Sequence, residues 1–112
     1  MMKLGLVSAI LPNDTFEQVV DYAASVGFLA VEVCCWPKGK AVRRYAGITH
    51  IDLNESDDQK LLYYRDYAAK KGVAISSLGY YPNALDADEE AAGVAIAPLY
   101  RLLDASALRV LN

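Results

Sequence analysis

The chain has 112 residues, 54% of them hydrophobic and 22% charged, with a formal net charge of −3. That is enough apolar surface for one globular domain and too much for a disordered chain, and the acidic balance offers no basic face to neutralise the phosphates of a nucleic acid. No uncharged stretch free of Gly and Pro approaches the ~18 to 20 residues that span a bilayer, and Met1-Met2-Lys3-Leu4 leads straight into strand-like sequence rather than a signal peptide, so a cytoplasmic location without membrane contact is expected.

The first element is an apolar run over residues 3–8, followed by Pro12-Asn13-Asp14, which reads as a strand and then a loop. Asp14 and Glu17 have the spacing of a capping box, and Phe16, Val19, Val20, Ala23 and Ala24 then recur at helical spacing. Gly27 supplies a left-handed closing residue, with Phe28 as its apolar follower.

The second unit repeats the design. Residues 30–36 form a strand, residues 37–55 a long polar loop, and Ser56 with Gln59 a second capping box. The helix that follows runs to Gly72, with Leu61, Leu62, Arg65, Ala68 and Ala69 at helical spacing and Tyr63, Tyr64 and Tyr67 bordering the stripe. Cys34 and Cys35 are adjacent in the strand, so they point to opposite faces and cannot bridge each other without strain. They read as two small apolar residues of a buried strand.

The third unit is a strand over residues 73–80, a loop over 81–87 and a helix over 88–107. That helix contains Gly93 and Pro98. A mid-helix proline removes one hydrogen bond and clashes with the preceding turn, at a cost of ~3 kcal/mol, so a kink or break is expected near residues 95–98. Residues 108–112 read as the opening of a fourth strand.

Strands alternating with helices of this length are parallel, joined by right-handed crossovers, which sets the class as α/β. Composition and periodicity leave a closed barrel and a small open flavodoxin-like sheet both possible. The Gly-rich dinucleotide fingerprint is absent after the first strand, where Ser8-Ala9-Ile10-Leu11-Pro12 stands instead.

Several segments together resemble the sugar phosphate isomerase/epimerase group of xylose isomerase-like TIM barrels. Lys3-Leu4-Gly5-Leu6 with Phe16-Glu17 is similar to that group's first strand and helix, and Ala30-Val31-Glu32-Val33 to its second strand. Trp36-Pro37, Arg43-Arg44-Tyr45-Ala46-Gly47 and His50-Ile51-Asp52 resemble the following loop. The most specific piece is the run from Ile75 to Asp86, Ile-Ser-Ser-Leu-Gly-Tyr-Tyr-Pro-Asn-Ala-Leu-Asp, which resembles the third strand and its loop. Ala84 departs from the group, which often has a second proline there, and Pro98 falls where the family helix is regular.

The resemblance implies a partial (β/α)8 TIM barrel: about three βα units plus the start of strand four, residues 1–112 forming a single N-terminal half-barrel. A full barrel needs roughly 250 residues. It also implies a small sugar or sugar phosphate as ligand and a divalent metal held by two Glu, one Asp and one His of the barrel's second half. No metal ligand, general base or cofactor is therefore assigned within this chain.

Barrel active sites lie at the C-terminal ends of the strands, so the polar and aromatic residues there are the substrate-binding candidates. Glu32 shares strand parity with Cys34 and Trp36, which would aim all three into the barrel, as a satisfied polar residue of a barrel layer or as a sugar-binding group. Trp36, Tyr80 and Tyr81 offer flat faces that either stack on a sugar ring or cap the barrel mouth. Asn83 either makes an Asx turn or contacts ligand. His50, the only histidine, stands beside Asp52, either tied to local backbone or lining a pocket, and its ordinary pKa of about 6.5 leaves it mostly neutral at pH 7. Lys38, Lys40, Arg43 and Arg44 read as a solvated loop face, with phosphate binding as the sharper alternative.

The expected function is the N-terminal half of a metal-dependent sugar (phosphate) isomerase/epimerase, inactive alone because the metal-ligand half is absent. The alternative is a self-associating half-barrel acting as a binding or assembly module: unpaired sheet edges and an apolar inner face are templates for association, which predicts a homo-oligomer.

Overall fold

A computed structural model gives the structure of residues 2–36, 47–80, 85 and 87–107, with the side chains of all of these except 91, 92, 94 and 95. In chain order the elements are β1 (Gly5–Val7), a short 3-10 turn (Ser8–Ile10), α1 (Phe16–Val26), β2 (Ala30–Cys34), α2 (Asp58–Lys70), β3 (Ala74–Gly79) and α3 (Glu89–Ala107). The three strands form one parallel sheet in the order β1-β2-β3. The architecture is therefore α/β and consistent with part of a TIM barrel, as the alternation of strand and helix predicts. The expected fourth strand, over residues 108–112, lies outside the described residues.

The apolar residues sort to one face of the sheet. Leu6, Val31, Val33, Cys35 and Ile75 pack against Phe16, Val19, Val20 and Ala23 of α1, Leu61 and Ala68 of α2 and Ala105 of α3. On β3 the inward residues Ile75 and Leu78 are three apart, which a simple two-residue alternation does not allow. A bulge resolves this: Val31 pairs with Ile75, Glu32 with Ser77 and Val33 with Leu78, so Ser76 is the extra residue and both apolar pairs stay on the helix side.

The connection from β2 to α2 is more than the polar loop expected from the sequence. Thr49 forms an antiparallel bridge with Cys35, and Ile51 and Leu53 are buried in the core. The polar residues around them mask two apolar anchors too few to show a period.

Both helix caps sit one residue later than the sequence reading places them, and only the first is a reciprocal capping box. At α1, Thr15 Oγ1 accepts from the Gln18 amide at 3.2 Å while Gln18 Oε1 accepts from the Thr15 amide at 2.8 Å. Asp14 is held in the preceding turn, its amide donating to the Leu11 carbonyl at 3.2 Å. At α2 the cap is Asp57, whose Oδ1 accepts from the Lys60 amide at 2.7 Å. Ser56 is buried and its hydroxyl donates to the Asp52 carbonyl at 2.6 Å, so it belongs to the turn before the helix. At the other end of α1, Gly27 adopts φ +88° and Phe28 donates back to the Ala23 carbonyl at 2.9 Å, the closing motif the sequence predicts.

The helices lie side by side on the sheet and are cross-linked at their surfaces. Tyr63 and Tyr67, one turn apart on α2, donate to Glu17 (3.1 Å) and Asp21 (2.7 Å), one turn apart on α1. The bond to Asp21 pushes the Tyr67 hydroxyl up to about 12. α3 runs unbroken from Glu89 to Ala107 with Pro98 inside it, against the expected interruption. One missing N–H leaves the ladder on either side intact, and the later turns are anchored: Arg101 donates to the Ser56 carbonyl at 2.7 Å and meets Asp58 at 3.3 Å, while Ala105 is buried in the core.

Candidate functional site

The C-terminal ends of the three strands are drawn together by bonds that belong to no regular ladder. The Cys34 amide donates to the Ser8 hydroxyl beyond β1 at 2.8 Å, and the Cys35 amide to the Gly79 carbonyl at 2.8 Å. The His50 and Ile51 amides both donate to the Cys34 carbonyl, at 2.9 and 3.3 Å. Trp36 and Tyr80 directly follow Cys35 and Gly79, so both half-buried aromatics leave the sheet at this end, on neighbouring strands. Burial raises the Tyr80 hydroxyl above its ordinary value.

Glu32 is half-buried in the middle of the sheet, in register with Val7 on one side and Ser77 on the other. Its strand neighbours Val31 and Val33 face the helices, so alternation puts Glu32 and Cys34 on the opposite face. In a closed barrel that face is the interior. Tyr81 and Asn83, the other two candidates, and the basic cluster Lys38, Lys40, Arg43 and Arg44 lie outside the described residues.

His50 is the best-defined of the candidates. The residue is 7% exposed, and Nε2 lies 2.9 Å from the Leu11 carbonyl oxygen. A carbonyl only accepts, so Nε2 carries the proton and Nδ1 presents a lone pair. Nδ1 is buried with no hydrogen-bond partner among the described residues. Burial lowers the pKa of the ring below the ordinary imidazole value, against the Leu11 carbonyl and the Asp14 carboxylate, which pull it upward. The histidine is thus tied to backbone, but to the loop after β1 rather than to its own neighbours.

His50 also lines a cleft of about 370 Å³ between the start of α1, the connection after β2 and the start of α2. Asp14, Glu17, Asp52, Lys60 and Tyr64 share the lining, whereas Glu32, Trp36 and Tyr80 do not. The sequence reading treats Asp14 as a helix cap and Tyr64 as the border of an apolar stripe, and does not single out Lys60. The available signal is the i, i+4 pair Lys60 and Tyr64 at a helix start. It is realised in the fold by the Lys60 ammonium lying 4.6 Å from the Tyr63 ring centre and 5.1 Å from that of Tyr64. Burial raises the Tyr64 hydroxyl, with a hydrogen bond to Ser56 opposing.

Both thiols are free and buried. Burial raises Cys34 and, with Cys34 beside it, pushes Cys35 up to about 12, so neither presents a thiolate near neutral pH. Among the described residues no three or more His, Cys, Asp or Glu side chains converge to hold a metal ion. No helix among the described residues is long and apolar enough to cross a membrane.

Neither a protein-family model nor a curated protein sequence matches the chain. Among solved structures it is similar to D-psicose 3-epimerase, determined in the presence of D-fructose, with a TM-score of 0.63 and 20% sequence identity. The similarity covers 96% of this chain and 34% of the epimerase chain, so the chain spans about a third of the length of the structure it matches. At that identity the likeness establishes the fold.

Proposed function

We propose that these residues supply the first βα units of a sugar isomerase or epimerase barrel, binding part of a sugar at the C-terminal end of the sheet. The observation that carries the reading is that Trp36 and Tyr80 leave neighbouring strands at one sheet end, with the half-buried Glu32 four residues before Trp36 on the non-helical face of β2, in a fold similar to D-psicose 3-epimerase over 96% of its length. Aromatic faces take the apolar side of a sugar ring, and a carboxylate accepts from its hydroxyls. The chemistry of hydrogen transfer next to a carbonyl belongs in this reading to residues of the later strands, so these residues alone bind and do not turn over. Titration with D-fructose and with a ketose phosphate, followed by NMR, is expected to show millimolar binding that weakens about fivefold in Trp36→Ala. Ligand-independent spectra with both sugars, or epimerisation by these 112 residues with added divalent ion, would overturn it.

A second reading, self-association, is favoured by the surface of β1. Val7 on the edge strand β1, Leu4 just before it and Ile10 in the turn after it are 41%, 65% and 55% exposed. Parallel sheets are ordinarily covered on both faces. Light scattering at micromolar concentration is expected to give a dimer or larger species, shifted toward monomer in the double substitution Leu4→Lys, Ile10→Lys. A compact wild-type monomer would rule this reading out.

A further inference from the structure

We infer that His50 is a pH-sensitive latch that holds the two loops at the C-terminal end of the sheet together while its ring is neutral and releases them when it is protonated. The geometry carries this. The ring belongs to the connection between β2 and α2, and its Nε2–H reaches the carbonyl of Leu11 in the connection between β1 and α1, 39 residues away. The same residue's amide, with that of Ile51, fastens its own connection to the Cys34 carbonyl at the end of β2. One residue therefore ties both loops and the sheet into one unit, at the end where Trp36 and Tyr80 emerge.

The neutral ring satisfies that arrangement with one proton. A second proton must go to Nδ1, which is buried and has no acceptor among the described residues. Protonation thus creates a buried, unanswered donor on a charged ring, and the fold relieves it only by moving the ring toward water. The groups facing the site pull both ways. Asp14 and Glu17 at the start of α1 and Asp52 on the ring's own connection favour the imidazolium, Lys60 of α2 opposes it, and Tyr64 stays neutral at this pH because burial raises it. Burial is the larger influence on the ring and depresses its proton affinity.

The direction follows from linkage. The free imidazole, with a pKa of about 6.5, binds its proton before the latched one does. Latching is therefore complete above that value and weakens as pH falls from about 6.5 toward the lower value of the closed state.

Because the chain has a single histidine, its ring resonances report the site without overlap. NMR is expected to show the Nε2–H tautomer at pH 7.5 and a titration midpoint below that of free imidazole. Between pH 7 and 5, the exchange protection of the His50 and Ile51 amides should fall about tenfold, while that of Phe28 and Val73, in the closing turns of α1 and α2, should hold. His50→Gln keeps a donor for the Leu11 carbonyl but cannot titrate, so its protection should be flat over the same range. A wild-type midpoint at or above about 6.5, protection that ignores pH, or the same pH dependence in the Gln variant would each overturn the latch. If that variant does not fold, the wild-type titration and exchange decide alone.

Discussion

Replacing Ile51 by Ala is expected to destabilise the fold by about 2 to 5 kcal/mol, as for an isoleucine of a central strand. Ile51 lies in a connection, yet it is fully buried among the sheet and helix residues of the core. Removing three of its side-chain carbons leaves a hole whose lining is fixed from several sides: its amide is bonded to the Cys34 carbonyl and its carbonyl accepts from the Thr49 hydroxyl at 2.9 Å. For a domain with the ordinary ~5 to 15 kcal/mol of total stability, that loss is a large fraction. Urea denaturation of Ile51→Ala beside Ile96→Ala measures it. Ile96 is 36% exposed on α3, and its truncation should stay within about 0.5 kcal/mol of wild type. Equal midpoints for the two variants would mean that the connection is not packed as described.

Gly5→Ala should cost about 1 to 3 kcal/mol by overpacking, although it adds a single methyl group. A Cβ at Gly5 would stand 2.9 Å from the Ala30 carbonyl oxygen and 3.1 Å from the Ala30 Cβ, and a backbone oxygen in a ladder has little room to yield. β1 is three residues long and, among the described residues, pairs with β2 alone, so the strain falls on that pairing. Gly93→Ala makes the opposite case. Its Cβ would meet nothing within 4 Å, and replacing a glycine inside a helix is expected to stabilise by about 0.5 to 1 kcal/mol. Thermal denaturation should therefore move in opposite directions for two identical substitutions. A shift of the same sign in both would refute the close approach at Gly5.

Where the sequence carries a period, the reading and the structure agree. The spacing of Phe16, Val19, Val20 and Ala23 marks the face of α1 that is buried, and Gly27 with Phe28 marks its end. The errors are local and have local causes. Asp14 and Ser56 are good capping residues next to better-placed ones, Thr15 and Asp57, and only the turn geometry chooses between neighbours. Ile75 and Leu78 violate strand alternation, and nothing in the composition announces the bulge that reconciles them. Pro98 lowers the expectation of a continuous helix, which Arg101 and Ala105 then secure through contacts far away in the chain.

The candidate site divides along the same line. Glu32, Trp36 and Tyr80 are legible because position on a strand implies position at a sheet. The cleft around His50 is not, because Leu11, Asp14, Lys60 and Tyr64 meet it only after two connections and two helix starts have been brought to one end of the sheet.

By itself the sequence determined the class, the number and order of the βα units and the apolar faces that make the core, since hydrophobic burial reads periodic patterns and these are written within each segment. The tertiary structure alone decided which loop residues are core, where the bulge absorbs an extra residue, and what His50 holds. Those outcomes depend on hydrogen bonds and packing between segments tens of residues apart, whose free energy no local pattern encodes.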